Sequence, residues 1–262
     1  MTLFRDQTEI IAATVVGRGH IRAGRGGQDA VCVRVADDAV VVVVCDGCSA
    51  GEASELGAGV GARFVAADLA RRLEKGATVD DALASAVVDA LVDELARLAD
   101  LWAHGDRDDV IARALLFTLQ VAVVTPTAWI AFGVGDGVLR VDGEEVAIAV
   151  NDDGAPDCVA YRLLDSLREH ARLVVHARGS ALSTLTLGTD GAAELAARVD
   201  VELPSGEPFG GLPLFERDNR FVKNPGLAKK RLLSLGDRGP VDDCTFVVVR
   251  RVGTGLRGAP CA

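Results

Sequence analysis

The feature that most constrains the fold is a run of small and β-branched apolar residues from Ala39 to Cys45, ending abruptly in Asp46-Gly47. It is far short of the roughly 20 residues that a membrane-spanning helix needs, so it reads as a buried strand. Residues 30 to 36 carry a second strand pattern, and Asp37-Asp38 supplies a tight turn between the two, which predicts a β-hairpin. Another strand is expected at residues 10 to 16.

After Gly51 the apolar period changes. Ala53, Leu56, Val60, Phe64 and Ala67 recur at spacings of three and four and predict a helix that runs to Leu73 and stops at Gly76. A second long helix follows, with Leu83, Val87, Leu91, Leu95 and Leu98 on one stripe and Thr78, Asp80 or Asp81 as its cap. The strand period then returns at 116 to 124, 128 to 134, 138 to 141 and 145 to 150, which together predict an antiparallel meander. Further strands are expected at 172 to 176, 183 to 189 and 244 to 251, and helices near 159 to 170, 191 to 198 and 222 to 234. Strands, then two helices, then strands again is an α+β order. The Pro- and Gly-rich stretch from Pro204 to Asn219 is expected to be a surface loop. No repeat or composition shift marks a boundary, so residues 1 to 252 are expected to form one domain, with 253 to 262 a loose tail.

A formal net charge of -10 argues against a surface built to neutralise nucleic-acid phosphates. The basic cluster Lys229, Lys230 and Arg231 reads as the solvated face of a short helix that buries Leu227, Leu232 and Leu233. The N-terminal segment lacks the layout of a secretory signal, and no run is long enough to span a membrane, so the expected location is cytoplasmic. The six cysteines are then expected to be reduced, with Cys45 and Cys48 serving as small buried hydrophobes.

Acidic residues fall at strand ends. Asp46-Gly47, Asp136-Gly137 and Asp190-Gly191 each follow a predicted strand, and Asp242-Asp243 precedes the last one. A single Asp-Gly is an ordinary turn. As a set, carboxylates at the ends of neighbouring strands converge on one pole of a sheet, where they repel one another unless cations neutralise them. All-oxygen ligation suits magnesium or manganese. Two such ions sharing a water lower its pKa and clamp both oxygens of an in-line displacement at phosphorus.

The segments Gly19-His20-Ile21 through Gln28-Asp29-Ala30, Cys45-Asp46-Gly47, Gly135-Asp136-Gly137, Thr189-Asp190-Gly191 and Asp242-Asp243-Cys244-Thr245 resemble, in order and strand context, the metal-dependent protein phosphatases of type 2C, in particular their compact bacterial branch. The resemblance spans residues 10 to 252. It implies a four-layer sandwich, two antiparallel β-sheets flanked by helices. It also implies two manganese or magnesium ions and a weaker third. Asp46 would bridge the two metals, with the Gly47 carbonyl ligating one of them. Asp190 and Asp242 would complete the first shell, Asp29 would hold a metal-bound water, and Asp136 would help form the third site. The implied substrates are phosphoserine and phosphothreonine in proteins, within a serine/threonine kinase pathway. Gln28 stands where many members have a metal-ligating glutamate. Gly24 stands where they have a phosphate-binding arginine, leaving Arg22 and Arg25 as candidates for that role. Cys48 stands where some have a histidine proposed as general acid.

Two alternatives differ in class. One is a phosphatase-like module with weakened catalysis that binds phosphoproteins as a regulator, motivated by Gln28 and the displaced arginine. The other is a serine hydrolase, because Gly47-Cys48-Ser49-Ala50-Gly51 fits G-x-S-x-G between a strand and a helix. The late histidine of such a triad is missing, since the last histidine is His176. Ser49 reads instead as the N-cap of the helix that follows.

Overall fold

The computed structural model describes residues 3–148, 156–196 and 198–252. Strands β1 (Thr8–Val15), β2 (Ala30–Val35) and β3 (Val40–Gly47) are separated by a short helix α1 (Arg18–Arg22) and by the predicted hairpin turn. Two long helices, α2 (Ser54–Glu74) and α3 (Asp81–Trp102), are followed by a single turn, α4 (Arg107–Val110). Next come β4 (Phe117–Val124), β5 (Trp129–Val134), β6 (Val138–Val141), β7 (Glu144–Val146), β8 (Val174–Gly179) and β9 (Thr184–Gly188). The chain continues through α5 (Asp190–Ala196), α6 (Gly211–Arg217), α7 (Asn219–Lys223), α8 (Gly226–Leu233) and β10 (Cys244–Arg251).

The strands form two five-stranded antiparallel sheets, in the orders β1-β10-β9-β6-β7 and β2-β3-β4-β5-β8. Three apolar clusters fill the three spaces between four layers. Val40, Val42 and Val44 face Leu185, Leu187, Val247 and Val249 between the sheets. Val41, Val43 and Cys45 face α2 and α3 on the other side of the same strand. This two-sided burial is why β3 carries no charged residue from Val40 to Cys45. The third space lies between the other sheet and α5 to α8.

Several expectations need correction. The meander is broken: β5 pairs with β4 and β8, whereas β6 pairs with β7 and β9, so the chain crosses from one sheet to the other at Gly135-Asp136-Gly137. Local alternation is the same on both sides of that crossing and carries no sign of it. Helix α2 buries a different face from the one its large residues suggested. Gly57, Ala58, Gly61, Ala62, Val65 and Ala66 are inside, whereas Leu56 is 51% exposed. A Cβ at Gly61 would lie 2.5 Å from the Phe117 ring, so glycines bring the helix backbone against the sheet. Helix α3 buries the predicted stripe and is capped by Asp80, which accepts from Leu83 N at 2.9 Å.

The stretch from Pro204 to Asn219 contains α6, and Phe209, Leu212 and Phe215 are fully buried there. Phe215 packs on Phe221 and Phe246 with centroids 4.7 and 4.8 Å apart. The expected helix at 159 to 170 is a pair of short 3-10 turns, Val159–Leu163 and Arg168–His170. The helix expected at 222 to 234 breaks at Pro225, and Leu233 is exposed while Ala228 takes its place inside. The expected tail at 253 to 262, the end of the strand at 149 to 150 and residue 197 lie outside the described residues.

Candidate active site

The corresponding strand ends gather at one edge of the sandwich. β3 ends on Asp46-Gly47, with Asp46 opposite Thr118 of β4, and the crossover between sheets carries Asp136. Asp190 opens α5 directly after β9, and Asp242 lies just before β10. Asp46, Asp136, Asp190 and Asp242 line one cleft of about 330 Å³, together with Gly47 and Cys48. Carboxylates from both sheets therefore meet across the seam between them.

Tight backbone contacts hold this edge. A Cβ at Gly17 would sit 2.3 Å from the Asp242 carbonyl carbon, and one at Gly191 would sit 2.0 Å from the Asp243 oxygen. Gly47 packs against the Gln28 backbone and the Ser54 hydroxyl, with 2.8 Å between an added Cβ and either. Its glycine is thus required by packing, whatever else its carbonyl does.

Asp243, 2% exposed, accepts from Gly17 N at 2.7 Å and from Gln28 N at 2.5 Å. One buried side chain thereby ties the exit of β1 to the entry of β2. His20 Nδ1 lies 3.0 Å from Asp243 Oδ1 and 3.9 Å from Asp242 Oδ1, without hydrogen-bond alignment to either. His20, Asp242 and Asp243 each offer a ligand atom, all within 4.8 Å of one another. Both Asp243 oxygens already accept a backbone N–H, so this carboxylate acts as a buttress for Asp242. The adjacent pair of aspartates was the signal for it.

The electrostatics are those of carboxylates crowded out of water. Burial is the main force that pushes the Asp46 carboxyl up to about 11. Asp29 and Asp190 add repulsion, and only the protonated form can donate the hydrogen bond to Asp190. Asp29 is pushed up to about 7, again chiefly by burial. Hydrogen bonds from Thr245 and Thr189 oppose that rise, and Asp243 and Asp190 add to it. The Thr189 hydroxyl donates to Asp29 Oδ2 at 3.1 Å. Burial and Asp190 also raise Asp136.

Around these groups, Asp29 Oδ1 and Gln28 Oε1 are buried without a hydrogen-bond partner. The Gln28 amide nitrogen donates to Ser54 Oγ at 2.5 Å and to Gly51 O at 3.3 Å. Mutually repelling buried carboxylates and orphaned oxygens fit a hard divalent cation, which takes oxygen donors and cancels their charge.

The remaining candidates lie at the rim. Arg25 donates to Ser49 O at 3.1 Å and to Gly51 O at 2.6 Å, which fixes the loop after Gly47. Arg22 is exposed on α1, and neither arginine lines the cleft. Ser49 is exposed and does not cap α2, whose N-cap position is Ala53. Among the described residues no hydrogen bond joins Ser49 to a histidine, so the triad required by the hydrolase reading does not form. Cys32, Cys45, Cys48, Cys158 and Cys244 are free thiols; Cys45 is fully buried, whereas Cys48 faces the cleft. No helix among the described residues is long and apolar enough to cross a membrane.

Comparison with known proteins agrees with this architecture. Solved structures of similar fold include a bacterial serine phosphatase, with a TM-score of 0.58 at 17% identity over 94% of this chain and 98% of that one. They also include the serine/threonine phosphatase Stp1 from Staphylococcus aureus, with a TM-score of 0.58 at 16% identity over 94% of this chain and 95% of that one. The serine/threonine phosphatase of S. agalactiae gives a TM-score of 0.54 at 11% identity, covering 93% and 99%. No curated protein sequence matches the chain. The family model described as protein phosphatase 2C matches residues 16–229, a span that holds Asp29, Asp46, Asp136 and Asp190, and the chain therefore belongs to the protein phosphatase 2C family of serine/threonine phosphatases.

Proposed function

We propose that the cleft is a binuclear manganese or magnesium centre that hydrolyses phosphoserine and phosphothreonine in proteins of a kinase-controlled pathway in the cytoplasm. The observation that carries this reading is the meeting of Asp46, Asp136, Asp190 and Asp242 on one cleft, with the Asp46 carboxyl driven up to about 11 where no cation offsets its neighbours. Asp46, at the end of β3, would hold both ions, and the Gly47 carbonyl, Asp190 and Asp242 would serve as further ligands. Asp136 contributes to a weaker third site. When bound, the ions supply an activated water and charge neutralisation at the phosphoryl oxygens.

The chain's own groups do the rest. Asp29, held by Thr189 beside the cleft-lining carboxylates, would orient a water of the metal centre. Asp243 keeps Asp242 in place through its bonds to the backbone of Gly17 and Gln28. Arg25 brings a positive charge to the loop that forms one wall and is the better placed of the two arginines to meet a phosphate. Cys48 lines the cleft where some family members have a histidine, so the proton for a leaving alkoxide comes from water or another group.

The test is hydrolysis of a phosphothreonine peptide and of an aryl phosphate by the purified protein, with added manganese and again with excess chelator. Turnover that needs the metal and stops with the chelator is expected. Binding of phosphopeptide without turnover at any metal concentration would make the protein a recognition module instead.

A further inference from the structure

Strand β4 contains one long polar side chain, Gln120, in an otherwise buried sequence, and it is 1% exposed. Its side chain is threaded between two glycines. A Cβ at Gly133 would lie 2.5 Å from Gln120 Oε1, and one at Gly137 would lie 3.1 Å from its Cγ. The amide nitrogen donates to two successive carbonyls, Gly135 O at 3.1 Å and Asp136 O at 2.9 Å. These belong to the crossover between the sheets, where Gly135 and Gly137 have φ of 87° and 144° and regular strand pairing is lost.

The amide oxygen is also engaged. His176 Nε2 lies 3.0 Å from Gln120 Oε1. With both amide hydrogens used on carbonyls, the oxygen must accept, so Nε2 carries the proton and Nδ1 is left as a buried lone pair with no partner. His176 reaches this position through an irregularity in β8. Ala131 pairs with Ala177 and Phe132 with Val175, which leaves His176 as the extra residue of a bulge. A bulge re-aims one side chain at the expense of a ladder hydrogen bond. Here it turns an imidazole inward, towards the residue whose amide holds the Asp136 crossover.

We propose that Gln120 and His176 are positioning residues for Asp136: His176 fixes the orientation of the Gln120 amide, and the amide fixes the two carbonyls that set where the Asp136 carboxylate points. This rests on the reading of Asp136 as a contributor to the metal centre. It requires neither residue to touch substrate or metal.

The test compares the manganese concentration giving half-maximal aryl phosphate hydrolysis in the wild type and in Asp136→Asn, Gln120→Glu, His176→Leu and His176→Gln. Gln120→Glu keeps the size of the side chain and leaves at most one donor for the two carbonyls. It is expected to raise the half-saturating concentration about tenfold, His176→Leu by about threefold, and His176→Gln, which restores a donor, to leave it near the wild-type value. In an Asp136→Asn background, Gln120→Glu is expected to add no further shift, because both changes act on one carboxylate. A purely structural role would lower the melting temperature and the active fraction without moving the metal dependence. If Asp136→Asn shifts the metal dependence and neither Gln120→Glu nor His176→Leu does, the positioning inference is wrong. If Asp136→Asn itself has no effect on a metal-dependent wild type, the assignment of Asp136 falls and the inference falls with it. Should Gln120→Glu fail to fold, the two His176 variants decide the matter alone.

Discussion

Removing the central carboxylate should make the metal-free protein more stable while abolishing its response to metal. Folding without metal drives the Asp46 carboxyl from the ordinary 3.8 up to about 11, so at neutral pH the folded state holds a proton that the unfolded state has released. From 3.8 to pH 7 is about three pH units at about 1.4 kcal/mol each, which sets a ceiling on the order of 4 kcal/mol for the cost of this residue. A group whose folded pKa is raised contributes its stability below the unfolded value and loses it as pH rises towards the folded value. For Asp46 that window runs from about 4 to about 11, and for Asp29 from about 4 to about 7. Stability of the metal-free protein should therefore fall as pH rises from 5 to 8.

An asparagine at this position carries no such cost and can still donate to Asp190. If half the ceiling survives relaxation, Asp46→Asn should gain about 2 kcal/mol, a rise of roughly 4–8 °C in melting temperature for a chain of this size. The assay is thermal unfolding of both proteins across that pH range, with chelator and then with manganese. In chelator the variant should melt higher, and the gap should widen with pH. In manganese the wild type should gain and the variant should not. A variant that melts lower in chelator, or a wild type indifferent to pH there, would refute the account of a strained carboxylate cluster.

Gln28→Glu should lower the manganese needed for half-maximal rate by roughly an order of magnitude, since it puts charge on the buried oxygen that now lacks a partner; titration of activity against manganese checks it. Ser49→Ala removes an exposed hydroxyl that caps nothing, so stability within about 0.5 kcal/mol and full phosphatase turnover are expected by denaturant melt and aryl phosphate assay. Gly191→Ala forces a Cβ onto the Asp243 carbonyl 2.0 Å away and should cost about 1–3 kcal/mol in denaturant unfolding, with weaker metal activation as Asp242 is displaced.

The strands and the acidic edge were legible in sequence because strand period and Asp-Gly termination are local signals. The five-valine strand, its hairpin and the stripe on α3 follow directly from them. The buried face of α2 was hidden because that helix packs through glycines and alanines, so its large residues mark the wrong side. The region of α6 looked like a loop because its Pro and Gly content outweighed three apolar anchors, and Phe246 of β10, on which Phe215 packs, is remote in sequence. The crossing between sheets at Asp136 depends on which strands pair at long range, and nothing local records that. The deep placement of Gln120 had one trace: a long polar residue in a strand whose only other polar member is Thr118.

The antiparallel pairing of β1 with β10, from Thr8 opposite Arg251 to Val15 opposite Cys244, joins the first strand of the chain to the last. During synthesis β1 has no partner until β10 has left the ribosome, and Asp242 is delivered in the same step. Pairings across so long a loop are late events in folding. A growing or truncated chain can hold Asp46 at the end of β3 and still lack Asp242 on the opposite wall of the cleft. A partly made copy therefore has an incomplete cleft, and its last wall arrives in one step with the closing of the fold.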